Sequence, residues 1–227
     1  LGTEELIRTY LYGVARRRPH ASRTLIEPWP SVGHVYAEVA GRHGVQVEPD
    51  EVPSRFVNAW QSRGDFAYTK AAWAEIVDQS FAGLTTVLPS QTFFDELYHE
   101  FATSKPWQIY PDVLPTLEAL GIRKMRLAVI SNWDDRLRVL LESLAIAHQF
   151  EVIIVSAEVG HTKPLLEIFQ TAAEALQLPP DDILHVGDSE KEDHQGALAA
   201  GFQSRRLCRD STEPIGHSIT SLEDLLH

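Results

Sequence analysis

The sequence has little cysteine, no long hydrophobic run and few basic residues. Its one cysteine, Cys208, excludes a disulfide within the chain and a zinc site built on several cysteines. No apolar run approaches the roughly 18 residues that a membrane-spanning helix needs. Twenty Lys and Arg face 32 Asp and Glu, for a net charge of -12. The single cysteine fits the reducing cytoplasm, so we expect a cytoplasmic protein, and the lack of a long apolar run predicts no membrane span. The acidic charge argues against a nucleic-acid partner, because phosphate contacts require clustered Lys and Arg.

The second half of the chain alternates short apolar runs with amphipathic stretches. Four runs are typical of strands: RLAVISN (126–132), FEVIIVS (150–156), ILHVGDS (183–189) and FQSRRLC (202–208). The first three are continuously apolar, as in parallel strands that are buried on both faces. Helices fit between them at the spacing of βαβ units. The pattern predicts an α/β fold whose core is a Rossmann-like parallel sheet with helices on both faces.

Residues 33–104 follow a different pattern. Apolar residues recur at helical spacing in four segments, around Val35–His43, Val52–Trp60, Trp73–Phe81 and Phe93–Phe101, with Pro, Gly and Asp between them. The aromatic residues of these segments have the spacing of a helical core. We therefore predict an all-helical cap domain at 33–104, inserted into a core domain formed by 1–32 and 105–227.

The first 20 residues fit neither pattern clearly. Leu6, Ile7, Tyr10, Leu11 and Val14 recur at helical spacing, and the basic run ARRRPH follows them. This spacing predicts a helix rather than a strand.

Polar residues follow three of the predicted strands. Ser131 and Asn132 end the first, Lys163 lies in GHTKP after the second, and Asp188 and Asp193 follow the third. Because the carboxyl ends of parallel strands meet at one edge of a sheet, we expect these side chains to converge there. A hydroxyl, an ammonium and two carboxylates are the groups that bind a phosphate together with Mg²⁺.

Taken one at a time, these residues have simpler explanations. A lone Lys163 would be a surface lysine, and Glu190 to Glu192 would be the solvated start of a helix. His185 lies within an apolar run, which indicates a core histidine rather than a ligand. Only the ordered set of residues indicates a site.

That ordered set resembles the haloacid-dehalogenase-like hydrolases, in the branch that carries a helical cap early in the chain. LAVISN resembles the family's second motif, GHTKPLLEIF its third, and HVGDSEKEDHQGALAAGF its fourth, with GDxxxxD spacing. The closing ITSLEDLL is also typical of the family. The resemblance covers residues 24–227.

The resemblance implies Mg²⁺-dependent hydrolysis of a small phosphate monoester, so the expected partner is a small phosphorylated metabolite. In such enzymes an Asp after the first strand attacks phosphorus and forms an aspartyl-phosphate, and an Asp two residues later acts as acid and base. By matching position, Ser131, Asn132 and Lys163 would bind the phosphoryl group, and Asp188 and Asp193 would hold the metal. The cap would close over the site and select the substrate.

The first motif departs from the family pattern. In HASRTLIEPW, Thr24 to Ile26 match the end of the motif, but His20 stands at the position of the nucleophilic Asp and Ser22 at that of the acid and base. YGVARRRP replaces the apolar residues of the family's central strand, which predicts a sheet without its middle strand or paired around a gap. In the third motif, Leu165 and Leu166 replace Asp-Pro. We therefore expect very weak turnover or none.

Several alternatives remain open on the sequence alone. One alternative is a pseudoenzyme or a module that binds a phosphorylated ligand. A second is an enzyme with relocated chemistry, such as a His20 nucleophile. A third is an out-of-frame start of the coding sequence, joined to a normal gene near Arg23. A carbon–halogen hydrolase of the same superfamily would need the same absent Asp and no Mg²⁺, and the GDxxxxD spacing argues against it. A receiver-type signalling domain would not need an insertion of about 70 residues.

Overall fold

The protein was analysed as a computed structural model, which describes the backbone of residues 9–14 and residues 24–64, 66–211 and 216–227. The strands in these ranges are Thr9–Val14 (β1), Ile26–Pro28 (β2), Trp107–Ile109 (β3), Leu127–Ser131 (β4), Val152–Val155 (β5), Ile183–Gly187 (β6), Gln203–Leu207 (β7) and Ser218–Ile219 (β8). The α-helices are Val32–Arg42 (α1), Glu51–Ser62 (α2), Lys70–Ser80 (α3), Phe94–Glu100 (α4), Val113–Ile122 (α5), Arg136–Ser143 (α6), Ser156–Val159 (α7), Leu166–Leu176 (α8) and Gly196–Ala199 (α9). None of these helices has the length and apolar character needed to cross a membrane.

Six parallel strands form the main sheet, in the order β5-β4-β1-β6-β7-β8. Alternate residues of β4 enter separate hydrophobic clusters: Leu127 and Val129 pack with residues of α5 and α6, whereas Ala128 and Ile130 pack with residues of α8. Both faces of the strand are therefore buried, which explains its continuous apolar run. The predicted α/β fold with a parallel sheet is confirmed.

The helix predicted in the first 20 residues is wrong for residues 9–14, which form the strand β1. This strand lies between β4 and β6, with Val14 in register with Ser131 and Tyr12 in register with Val186. A short apolar run fits a helix and a doubly buried strand equally well. Here β4 and β6 each offer backbone hydrogen-bonding groups to the segment between them, which favours a strand. The expected gap in the middle of the sheet is therefore also wrong. Arg16 to Arg18 follow the strand and lie outside the described residues.

The inserted helices α1 to α4 lie between β2 and β3. They bury their own hydrophobic cluster, in which the Tyr36 ring stacks on Phe81 and meets Phe56 edge-on. The side chains of Ser31 and Thr69 accept hydrogen bonds at the starts of α1 and α3, which fixes where these helices begin. The helical insertion predicted from the sequence is confirmed, while its exact domain limits at 33 and 104 stay a prediction.

The two chain crossings between the insertion and the sheet are joined to each other. β2 and β3 pair as an antiparallel ribbon, with Ile26 opposite Ile109. Beyond the ribbon, the Tyr110 amide donates to the Leu25 carbonyl over 3.1 Å. The ribbon and the adjoining Tyr110–Leu25 bond carry both chain connections between the helical insertion and the core, and we call this region the hinge.

Substitution of Gly33 tests how tightly the insertion is packed. A Cβ on Gly33 in α1 would lie 2.1 Å from the Pro49 carbonyl oxygen. Gly33→Ala must therefore push α1 away from the segment that contains Pro49. We expect a loss of about 1–3 kcal/mol in the free energy of unfolding, measured with urea. Gly121→Ala in α5 is the matched control, since nothing lies within 4 Å of its added Cβ. This control should gain up to about 1 kcal/mol, and equal effects of the two substitutions would contradict the packing.

Candidate active site

The carboxyl ends of β4, β1 and β6 lie side by side in the sheet. β4 ends at Ser131, which is in register with Val14 at the end of β1, and β6 ends at Gly187, directly before Asp188. Polar side chains that follow these strands must therefore share one edge of the sheet. This is the edge at which the sequence predicts a phosphate and metal site.

Asn132 joins the loop after β4 to the loop that carries Lys163. Its side-chain nitrogen donates to the Lys163 carbonyl over 2.9 Å, and its side-chain oxygen accepts from the Lys163 amide over 2.7 Å. Asn132 is 8% exposed, so the two bonds are protected from water. This reciprocal pair fixes the backbone of Lys163, even though Leu165 and Leu166 replace the usual Asp-Pro after it.

Lys163 and Asp193 form a buried ion pair. The Lys163 Nζ lies 2.6 Å from Asp193 Oδ1, and the side chains are 0% and 1% exposed. Burial acts to raise the pKa of Asp193, but the Lys163 charge and the His185 hydrogen bond outweigh it and hold that pKa well below its usual range. Asp193 is therefore ionised at neutral pH and accepts a charge-assisted hydrogen bond from Lys163.

His185 is the third member of this buried group. Its Nε2 lies 3.0 Å from Asp193 Oδ1, and burial lowers the pKa of the imidazole although Asp193 acts against that shift. Because an ionised carboxylate only accepts hydrogen bonds, the proton of the neutral ring belongs on Nε2. The sequence indicated a core histidine. The structure confirms the burial and adds a polar contact that the apolar context concealed.

Asp193 reaches its position because of Gly187 and Ser189. A Cβ on Gly187 would lie 2.3 Å from Asp193 Cγ, so only glycine leaves space for the carboxylate. The Ser189 amide donates to Asp193 Oδ2 over 2.9 Å, and the Ser189 hydroxyl accepts from the Glu192 amide. These contacts explain why glycine and serine flank Asp188 at the end of β6. Gly187 leaves space for the Asp193 carboxylate, and Ser189 bonds to it and to the Glu192 amide.

Ser131 presents a buried hydroxyl. The residue is 0% exposed, and its Oγ has no hydrogen-bond partner among the residues that the structure describes. A buried polar atom without a partner costs free energy, so it is a position where a ligand oxygen would be favourable.

Asp188 differs from Asp193 in its surroundings. It is half-buried rather than buried, and its Oδ1 accepts a hydrogen bond of 2.9 Å from the Thr24 hydroxyl. Thr24 is itself 0% exposed and belongs to the segment that precedes the hinge. The Asp188 carboxylate is thus oriented from the end of the first motif.

The structure brings together four of the predicted site residues, namely Ser131, Asn132, Lys163 and Asp193. Asp188 follows the same strand as Asp193 but contacts Thr24. His20 and Ser22 lie outside the described residues. Within the described ranges no three His, Cys, Asp or Glu side chains gather as metal ligands. The metal-binding roles of Asp188 and Asp193 therefore stay predictions.

Contacts between the insertion and the core reach the loop after β4. The Trp73 indole donates to Asp134 Oδ2 over 2.7 Å, and Arg136 binds the same carboxylate over 2.6 Å. Arg136 also donates to the Tyr98 carbonyl over 3.0 Å, and its guanidinium lies 3.6 Å from the Tyr98 ring centre. The insertion is thus hydrogen-bonded to the core at Asp134, three residues after Ser131. Sequence reasoning did not predict these contacts, because no local pattern pairs Trp73 with a loop about 60 residues later.

Comparison with known proteins gives a consistent family assignment. A family model described as haloacid dehalogenase-like hydrolase matches residues 24–201. The chain is 31% identical over 223 residues to haloacid dehalogenase-like hydrolase domain-containing protein 3 of Mus musculus, covering 89% of this chain and 88% of that protein. It is 35% identical over 120 residues to glyceraldehyde 3-phosphate phosphatase of Methanopyrus kandleri, covering 49% and 48% of the two chains.

The fold is also similar to solved structures. One is a HAD-hydrolase of Bacillus subtilis bound to magnesium, which matches with a TM-score of 0.71 at 18% identity and covers 97% of each chain. This likeness supports the arrangement of sheet and helical insertion.

Removal of the Asp193 charge tests the ion pair. Asp193→Asn leaves the Lys163 ammonium buried and unpaired, and we expect a loss of about 3–5 kcal/mol in unfolding free energy at pH 7. Since the pKa of Asp193 is lower in the folded chain than the value of about 3.9 in an unfolded chain, the pair stabilises the fold above that pH. Its contribution is lost as the pH falls further, so the difference between the two proteins should shrink in acid.

Glu158→Gln is the control, because its partner Arg138 is 46% exposed. This substitution should cost no more than about 1 kcal/mol. An Asp193→Asn variant as stable as this control at pH 7 would contradict the buried pair.

Proposed function

Because the chain belongs to the haloacid dehalogenase-like hydrolases, we propose that it binds the phosphoryl group of a small phosphate monoester. The binding groups belong to Ser131, Asn132 and Lys163 at the edge of the sheet, and turnover is strongly impaired. The observation that carries this proposal is the buried hydroxyl of Ser131. It has no partner among the described residues, and Ser131 is the last residue of β4, the strand next to β1. The phosphatase of Methanopyrus kandleri, a relative over half of the chain, supports a phosphorylated metabolite as the ligand.

The three side chains would divide the work of binding. The Ser131 hydroxyl would donate to a phosphoryl oxygen, which removes the cost of leaving it unpaired. Lys163 supplies a fixed positive charge that offsets the negative charge of the ligand, and Asp193 and Asn132 hold it in place. On this proposal Asp193 serves as the anchor of Lys163, since its oxygens already accept from Lys163, His185 and the Ser189 amide.

Asp188 is the carboxylate that fits Mg²⁺. Mg²⁺ in phosphate sites is commonly held by one or two carboxylates and completes its shell with water and phosphate oxygens. A half-buried carboxylate at the edge of the sheet, oriented by the Thr24 hydroxyl, matches that requirement without a cluster of three protein ligands. When bound, the ion would neutralise phosphate charge and polarise the phosphoryl group.

Impaired turnover follows from the first motif. His20 occupies the sequence position of the nucleophile, and an imidazole supplies neither an aspartyl-phosphate nor a hard oxygen ligand. Ser22 likewise cannot replace a carboxylic acid as the proton donor to a leaving group. Binding residues are thus retained by the chain, while the reacting residues are absent.

Calorimetry with phenyl phosphate in the presence of Mg²⁺ tests the binding. The unmodified chain should bind, and Ser131→Ala should weaken binding by about tenfold, the effect of losing one hydrogen bond to a charged group. Ser204→Ala is the control, because this buried serine has its own partner in His194, 3.0 Å away. Equal affinities of the unmodified chain and the Ser131→Ala variant would remove the role of Ser131, and no binding at all would refute the proposal.

Restoration of the first motif tests the loss of turnover. The double variant His20→Asp with Ser22→Asp should hydrolyse an aryl phosphate with Mg²⁺ at least about a thousandfold faster than the unmodified chain. Adding Asp188→Asn to the double variant should abolish this gain. Robust hydrolysis by the unmodified chain that is lost in Asp188→Ala would show that the native residues are sufficient.

A further inference from the structure

Arg209 connects parts of the molecule that are far apart in the sequence. Its Nη1 donates to Asp112 Oδ2 over 2.9 Å, and its Nη2 donates to the Thr24 carbonyl over 2.8 Å. The Arg209 and Asp112 side chains are 11% and 10% exposed, so the contacts are largely shielded from water. A planar guanidinium that bonds two acceptors in this way fixes their relative positions.

Thr24 passes this constraint on to the candidate site. Its backbone carbonyl accepts from Arg209, while its hydroxyl donates to Asp188 Oδ1 over 2.9 Å. Thr24 is 0% exposed, so neither bond is readily exchanged for water. The position of the Asp188 carboxylate therefore depends on where Arg209 holds the Thr24 backbone.

Arg209 also contacts the hinge. Its guanidinium carbon lies 4.0 Å from the Tyr110 ring centre, and the Tyr110 hydroxyl donates to Glu27 Oε2 over 3.0 Å. Tyr110 and Glu27 belong to the two chain crossings between the core and the helical insertion. The same guanidinium thus touches both the hinge and the segment that orients Asp188.

The anchor of Arg209 is itself fixed. Asp112 Oδ2 accepts from the Ser221 hydroxyl over 3.0 Å and from the Leu222 amide over 2.8 Å, in addition to Arg209. Burial acts to raise the pKa of Asp112, but Arg209 and these hydrogen bonds outweigh it and lower the pKa, so the carboxylate is ionised at neutral pH. The C-terminal segment thereby holds Arg209 at a defined place beside the sheet.

We propose that Arg209 is a positioning residue that acts through Thr24 to place the Asp188 carboxylate for metal binding, and that it ties this placement to the hinge of the helical insertion. The inference rests on the proposed function, in which Asp188 holds the metal. In this proposal Arg209 acts on the metal ligand Asp188 through Thr24 and not by contact with the bound phosphate. Its contribution is the geometry of a carboxylate that it reaches through one intervening residue.

The experiment measures Mn²⁺ binding to the whole 227-residue chain by electron paramagnetic resonance, with Mn²⁺ as the probe for Mg²⁺. Asp188→Asn should abolish binding. Thr24→Val and Arg209→Lys should each lower the affinity by about tenfold, the effect of losing a partner of a metal ligand. Thr24→Ser, which keeps the hydroxyl, should restore most of the affinity. The double variant of Thr24→Val and Arg209→Lys should lose little more than either single variant, because both act along the same path.

Arg123→Lys is the matched control. Arg123 also donates to a carbonyl of the C-terminal segment, that of Leu226, over 2.8 Å, but within the described part of the chain it makes no hydrogen bond to Thr24. Its substitution should leave Mn²⁺ affinity unchanged. A loss of affinity in this control equal to that of Arg209→Lys would assign the effect to general loosening of the C-terminus and would overturn the inference.

Crystal structures of the unmodified chain and of Arg209→Lys provide a readout that does not depend on metal binding. In the variant we expect the Thr24 hydroxyl to move away from Asp188, beyond the limit of about 3.0 Å for a hydrogen bond between two oxygens. If that bond stays intact, or if Mn²⁺ binding depends on Asp188 but not on Thr24 or Arg209, the positioning role is wrong while the proposed function stands. Absence of Mn²⁺ binding by the unmodified chain removes the metal site of the proposed function, and the two crystal structures then decide the positioning role by themselves.

Discussion

The ion pair between Lys163 and Asp193 is the constraint on which the site depends. Both charges are buried, and neither tolerates the loss of its partner. The pair requires the Lys163 loop to reach the end of β6, and it requires a residue without a side chain at Gly187, where the carboxylate is packed. With Asn132 bound to the same loop, the pair joins the segments that follow β4, β5 and β6 into one unit.

The sequence was sufficient to predict much of this arrangement. Continuous apolar runs indicate doubly buried parallel strands, and the rule that such strands end at one edge predicts that Ser131, Lys163 and Asp193 lie close together. The helical insertion was predictable for a similar reason, because four amphipathic segments need a core of their own. In both cases a periodic pattern over many residues carried the information.

The failures concern residues whose role is set by distant partners. Residues 9–14 form a strand because β4 and β6 flank them, and their own periodicity could not reveal that. Asp188 and Asp193 both follow β6 and look alike in the sequence. In the structure, Thr24 orients Asp188, whereas Lys163 and His185 bond to Asp193. The role of Arg209 is not predictable from the sequence, because its acceptors lie 97 and 185 residues away along the chain. Long-range hydrogen bonds of this kind leave no local signature.

Folding alone does not account for the chemistry at this edge of the sheet. A buried ion pair is seldom more stabilising than apolar side chains of the same volume. A buried hydroxyl that has no partner among the described residues, such as that of Ser131, costs about 1–3 kcal/mol if it stays unpaired. An anionic ligand would turn both features into favourable contacts. Position 20 acts in the same direction under the proposed function, because a histidine does not carry the negative charge with which an aspartate would repel a bound phosphate. Under the proposed function, the histidine at this position would favour binding of the phosphate over its hydrolysis, so affinity and turnover would separate in this protein.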